Sequence, residues 1–242
     1  AAKFLDELIK ADLKIHWTCA IRADLMGKDE DNKGNSIPRE ERLNLAKKFV
    51  ESGCVSAGYS LESGSDEILK AMNKKVRSKY FKEQVHICKE AGLITNTSLV
   101  IGYPQETSET IKETMTQLEK LKVYPSTGFL LPLPETGMFK YAVENGYIND
   151  IDYYLTQITE RQDFSLNLTK MKEEDLKAET VKWLEKLNKT FGNLLDKEKL
   201  LKTGGYDVHS KHQNTKERFE KVDRNKTNRE TLNYATQEGS LR

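Results

Sequence analysis

The feature that most constrains the fold is a regular alternation of strand and helix patterns over residues 1–150. Four segments rich in β-branched and other apolar residues predict strands, and apolar residues recur at helical spacing between them. The predicted strands are residues 14–22, 55–61, 93–101 and 127–133. Because each helix can return the chain across a sheet, this order predicts a parallel α/β sheet, either open or part of a TIM-like barrel.

The rest of the chain has a different character. Residues 175–195 carry apolar side chains along one helical stripe, which predicts a helical extension over 151–202 that packs against its neighbour. From residue 203 onward Lys, Asn, Thr, Glu and Gly dominate. Such a composition buries too little apolar surface to order a chain, so residues 203–242 are predicted to be a polar, disordered tail.

The overall charge favours neither nucleic acid nor a membrane as a general partner. Lys and Arg total 39 against 38 for Asp and Glu, a formal net charge of +1, so the composition gives no indication of nucleic-acid binding. No apolar run approaches the roughly 20 residues of a membrane span, and no secretory signal is apparent. Cys19, Cys54 and Cys88 are odd in number and widely spaced, which favours free thiols in the cytoplasm over disulfides.

Polar residues follow the predicted strands where ligands bind in parallel sheets, at the carboxyl ends. Arg22 ends the first strand and can neutralise a carboxylate or phosphate. Glu62 ends the second and can accept from an ammonium or a ribose hydroxyl. Gly102 follows the third and allows close approach of the backbone. The alternative expectation is that Arg22 and Glu62 simply pair with each other.

Four segments together resemble radical S-adenosylmethionine (SAM) proteins of the cobalamin-binding and tRNA-methylthiotransferase-like group. HWTCAIRADLM (16–26) is similar to the third strand of that barrel, and GYSLESGSDEILKAMNKK (58–75) to the fourth. EAGLITNTSLVIGYPQETSETIKET (90–114) resembles the fifth, and FLLPLPETGMFKYAVENGYI (129–148) the sixth. Because all four occur in the family's order, the resemblance implies the C-terminal part of a TIM-like radical SAM barrel.

The resemblance also implies site residues. It puts Glu62 against SAM, pairs Lys74 with the SAM carboxylate, and lets Ser98 bond the ribose hydroxyls. It assigns no catalytic residue. The other positions that it brings near SAM are Arg22, Val100, Ile101, Gly102 and Leu130.

The cofactors implied are SAM and a [4Fe-4S] cluster held by a C-x-x-x-C-x-x-C loop. Cys19, Cys54 and Cys88 lack that spacing and are interpreted as ordinary thiols, so this chain is expected to provide no metal ligand. The chain starts at Ala1 inside a helical pattern, so we expect the cluster ligands upstream, in a missing N-terminal part of the barrel that this chain needs. An upstream domain of the parent protein could also hold cobalamin.

The parent protein would then cleave SAM reductively to a 5′-deoxyadenosyl radical that abstracts hydrogen from an unidentified substrate. This chain alone would be inactive. Two alternatives stay open from the sequence: a truncated, non-catalytic scaffold or partner subunit, and a different TIM-like lyase or phosphate-binding enzyme that uses Glu62 and Arg22.

Overall fold

A computed structural model of the chain describes residues 1–158, 164–193, 195–196 and 199–201. The tail predicted over residues 203–242 lies outside this described part. Within the described residues, no helix is both long and apolar enough to cross a membrane. The helices are α1 (Ala2–Ala11), α2 (Arg39–Glu51), α3 (Asp66–Ala71), α4 (Ser78–Ala91), α5 (Ser108–Leu121), α6 (Gly137–Glu144), α7 (Ile151–Gln157) and α8 (Glu173–Thr190).

Four parallel strands form one sheet in the order of the sequence. They are β1 (Trp17–Ile21), β2 (Cys54–Glu62), β3 (Ile94–Ile101) and β4 (Pro125–Phe129), and each pairs in parallel with the next. Helices connect successive strands, as parallel pairing of neighbouring strands requires. The predicted parallel α/β sheet is therefore confirmed, and the carboxyl ends of all four strands lie at one edge.

The helices α2, α4, α5 and α8 belong to a layer that buries one face of the sheet. Local sequence sets their limits: Thr107 and Thr110 form a capping box at the start of α5, and Gly92 ends α4 with a φ of 81°. The core between the sheet and this layer contains Phe81 and Leu118, both fully buried. Apolar burial against one face leaves the opposite face of the sheet available for a ligand.

The last strand differs from the sequence prediction of residues 127–133. β4 starts at Pro125, where a missing N–H is tolerated because it is the first residue of a strand at the edge of the described sheet. After Phe129, the Leu130 amide donates one further bond to Ile101, and the chain then leaves the sheet before Pro132. Proline has no donor for the ladder, so the strand is shorter than its hydrophobicity suggests.

The helical extension is also divided differently from the prediction. Its long helix, α8, ends at Thr190 instead of continuing to 195, because Gly192 adopts a φ of 70° and reverses the chain. A second apolar cluster forms around α6 and α7, where the Tyr154 hydroxyl donates to the Pro132 carbonyl at 2.9 Å. This contact fixes the segment that follows β4 at the carboxyl edge of the sheet.

Candidate active site

The face of the sheet opposite the helical layer carries mostly small and polar side chains. Along β2, Ala57, Tyr59 and Leu61 are buried against the helices, whereas Gly58 and Ser60 point to the open side. A cleft of about 760 Å³ lies on this side. Its walls are formed by Ala20, Ile21, Arg22, Gly58, Tyr59, Ser60, Asn73, Lys74, Lys75, Val76, Asn96, Thr97, Ser98 and Ser126.

Glu62 and Lys74 meet at the carboxyl end of β2. The register with β3 shifts between Ser60 and Glu62, and Glu62 has a φ of 70°, so its side chain leaves the regular alternation of the strand. The loop between α3 and α4 carries Lys74 to it, and the Lys74 ammonium lies 2.9 Å from the Glu62 carboxylate. Both side chains keep some exposure, 18% and 35%, so a ligand can compete for either partner.

Arg22 takes a different partner from the one expected as the alternative. Its Nε and Nη2 atoms donate to the two carboxylate oxygens of Asp24 at 2.9 and 3.0 Å. This bond raises the pKa of Arg22. The expected pair of Arg22 with Glu62 is therefore wrong, because a carboxylate two residues away satisfies the guanidinium and Lys74 satisfies Glu62.

The predicted residues on β3 divide between the two faces. Ser98 lines the cleft and Val100 is half-buried on the same side. The Ile101 side chain is 1% exposed and lies in the helix-covered core, so only its main chain can contribute to a site. Gly102 follows with a φ of 105°, a conformation that favours glycine, and the half-buried Leu130 is held beside it by a bond to the Ile101 carbonyl at 2.8 Å.

Glu106 is a residue to which the sequence reading gave no role. Its carboxyl is 2% exposed, accepts from the Thr110 hydroxyl at 2.6 Å and from the Gly102 amide at 3.4 Å. Burial raises the pKa of Glu106 to about 7. An acid four residues after a strand-ending glycine was the available signal, and the structure shows that it fastens the Gly102 turn to α5.

The three cysteines lie apart from the cleft, among the residues packed under the helical layer. The Sγ atoms of Cys19 and Cys54 are 3.9 Å apart, and Cys88 is fully buried on α4. Burial raises the pKa of Cys54 to about 12 and that of Cys88 to about 11, which disfavours the thiolate that iron requires. No group of three or more potential metal ligands occurs in the described part of the chain, and these cysteines do not fit a [4Fe-4S] cluster.

The comparison with protein families concerns the first half of the chain. Residues 6–118 match the family model of the radical SAM superfamily. An uncharacterised methyltransferase of Pyrococcus horikoshii is 27% identical over 60% of this chain and 32% of its own length. A tRNA-2-methylthio-N(6)-dimethylallyladenosine synthase of Desulfosudis oleivorans is 26% identical over 52% of this chain and 28% of its own. The chain thus spans about a third of these relatives.

A solved structure supports the fold. Coproporphyrinogen III oxidase of Escherichia coli, a radical SAM enzyme, matches 78% of this chain and 38% of its own with a TM-score of 0.51 and 14% sequence identity. At that identity the likeness concerns the fold alone. It agrees with four parallel strands that form part of a TIM-like barrel, followed by helices.

Proposed function

We propose that this chain provides the SAM-binding wall of a radical SAM enzyme. The observation that carries the proposal is the Glu62–Lys74 pair at the strand edge of a polar cleft, within the segment that matches the radical SAM family model. SAM ends in an α-ammonium and an α-carboxylate, and an adjacent carboxylate and ammonium are complementary to that end. When bound and reductively cleaved, SAM supplies the 5′-deoxyadenosyl radical that abstracts hydrogen from the substrate.

The proposed contacts follow the carboxyl edge of the sheet. Glu62 accepts from the ammonium of SAM, Lys74 donates to its carboxylate, and the Ser98 hydroxyl bonds the ribose. Val100, the main chain of Ile101, Gly102 and Leu130 flank the adenine. The positive φ of Gly102 favours glycine, so no side chain projects from this position.

The proposal assigns the [4Fe-4S] ligands to a segment or subunit outside this sequence, because Cys54 and Cys88 are buried, Cys19 is half-buried, and burial raises the pKa of all three thiols. This chain alone is then inactive in SAM cleavage, and it requires the rest of the barrel. Any cobalamin used by the parent protein is assigned to a separate domain. The free cysteines fit the reducing cytoplasm, which we propose as the location.

Binding of S-adenosylhomocysteine tests the proposal without the cluster. Glu62→Gln and Lys74→Gln each remove one charged partner of the ligand. Each is expected to raise the dissociation constant by about tenfold or more, as for the loss of a hydrogen bond to a charged group. Calorimetry or equilibrium dialysis measures the constant.

The matched control is another ion pair of the same chain. Glu119 and Lys186 lie 2.7 Å apart on the outside of the helical layer, joining α5 to α8. Glu119→Gln and Lys186→Gln are expected to leave the affinity unchanged. Equal affinities in all four variants, or a wild-type chain that shows no saturable binding, would count against the proposal.

A further inference from the structure

The cleft contains a second cationic feature, which lies on β1 and the α3–α4 loop. Among its lining residues, the three that carry a charge are Arg22, Lys74 and Lys75, all cationic. The Glu62 carboxylate balances Lys74 at 2.9 Å. Lys75 is exposed and has no partner within the part of the chain that the structure describes.

Hydrogen bonds fix both the main chain and the guanidinium group of Arg22. The Gln84 amide donates to its main-chain carbonyl at 2.9 Å and accepts from the Met26 amide at 2.7 Å, which fixes the end of β1 on α4. Asp24, whose side chain is only 6% exposed, takes two of the five N–H groups of the guanidinium. The remaining three N–H groups have no partner among the described residues.

The Arg22 side chain nevertheless remains 66% exposed. A guanidinium that is fixed on one side and free on the other presents a preorganised donor edge, which loses little entropy when a ligand binds. Asp24 balances the charge of Arg22 and Glu62 balances that of Lys74, so the net positive charge of the cleft comes from Lys75. Donor geometry at Arg22 and uncompensated charge at Lys75 are together complementary to an oxyanion.

We propose that Arg22 and Lys75 bind an oxyanion group, a carboxylate or a phosphate, of the substrate, and that Arg22 is not a SAM ligand. This inference rests on the proposed function in one respect, that the Glu62–Lys74 end of the same cleft is taken by SAM. It restricts the substrate to an anionic molecule whose charged group lies on the β1 side of the cleft.

Titration of the ¹⁵N-labelled full chain with inorganic phosphate and, separately, with acetate tests the inference. Sodium chloride at matched ionic strength is the reference, and the Arg22 Nε–H signal is followed. At least one oxyanion is expected to give a saturable shift, and the tighter of the two identifies the group. Absence of a saturable shift with both would overturn the inference.

Variants separate this site from the SAM site. Arg22→Gln combined with Asp24→Asn, which leaves no buried carboxylate unpaired, is expected to weaken oxyanion binding by at least about tenfold, and Lys75→Gln by about threefold. These two variants are read from the backbone amides of the end of β1. Arg39→Gln is the matched control, because Glu83 and Glu90 hold Arg39 on the outer surface at 3.0 and 2.8 Å. It is expected to change nothing.

The same variants are titrated with S-adenosylhomocysteine, whose affinity is expected to stay within about twofold of wild type. An equal loss for oxyanion and S-adenosylhomocysteine in the Arg22/Asp24 variant would return Arg22 to the SAM site and overturn the inference. Unchanged oxyanion binding in that variant would overturn it as well. Arg22-dependent oxyanion binding in a chain that does not bind S-adenosylhomocysteine would support the inference and contradict the proposed function.

Discussion

Phe81→Ala is expected to lower the free energy of unfolding by about 3–5 kcal/mol, the range found for removal of a fully buried aromatic ring. Phe81 on α4 is 0% exposed, and its ring meets that of Tyr59 on β2 edge-on with centroids 5.9 Å apart. The loss combines buried apolar area, the ring contact and the cavity left between helix and sheet. Urea denaturation followed by circular dichroism measures it.

Phe4→Ala is the matched control for that substitution. Phe4 also makes an edge-on ring contact, to Trp17, but it remains 60% exposed. Its replacement is expected to cost less than about 1 kcal/mol, because little apolar area is lost. Similar losses for the two variants would mean that α4 does not form the core of the fold as described.

Glu106→Gln is expected to abolish a pH dependence of stability. The pKa of Glu106 is raised to about 7 in the folded chain, above its ordinary value of 4.5. The folded chain therefore holds a proton that the unfolded chain has released, and stability falls as the pH rises through this window. Between pH 5 and 8 the free energy of unfolding of the wild type should fall by roughly 2–3 kcal/mol, a fall that the glutamine variant does not show.

Urea denaturation at both pH values measures the difference between the two proteins, in which the other titrating groups cancel. Glu109→Gln, an exposed position on the first turn of α5, is the control and should follow the wild type. If Glu106→Gln shows the same pH dependence as wild type, the carboxyl is not buried beneath the Gly102 turn as the structure describes.

Much of the fold was predictable because the sequence repeats a simple period. The end of α4 is a feature that the sequence carries, since Gly92 supplies a left-handed residue where the helix must end. The limits of β4 were not predicted correctly, because apolar residues continue to Leu133 while hydrogen bonding stops after Leu130. Hydrophobicity reports burial, and a strand additionally requires a partner for its backbone.

The sequence predicted the positions of the site residues better than it predicted their hydrogen-bond partners. Glu62 and Lys74 were both expected near one ligand, and the structure shows the two side chains in contact. The alternative expectation, that Arg22 pairs with Glu62, was wrong, because the partner of Arg22 depends on a turn whose geometry no local pattern reports. Glu106 had no assigned role for a similar reason: its spacing from Gly102 is visible in the sequence, but its bond to the Gly102 amide depends on how the turn folds.

The central claim is that SAM binds to the open face of the sheet, and chemical-shift mapping tests it most directly. The labelled chain is titrated with S-adenosylhomocysteine, and shifts are read for every assigned amide. The account expects saturable shifts at Ser98, Val100, Gly102 and Leu130, and none at Ile111 and Leu184, which lie under the helical layer. Shifts confined to the helix-covered side, or no saturable shift along the carboxyl edge of β3, would contradict it.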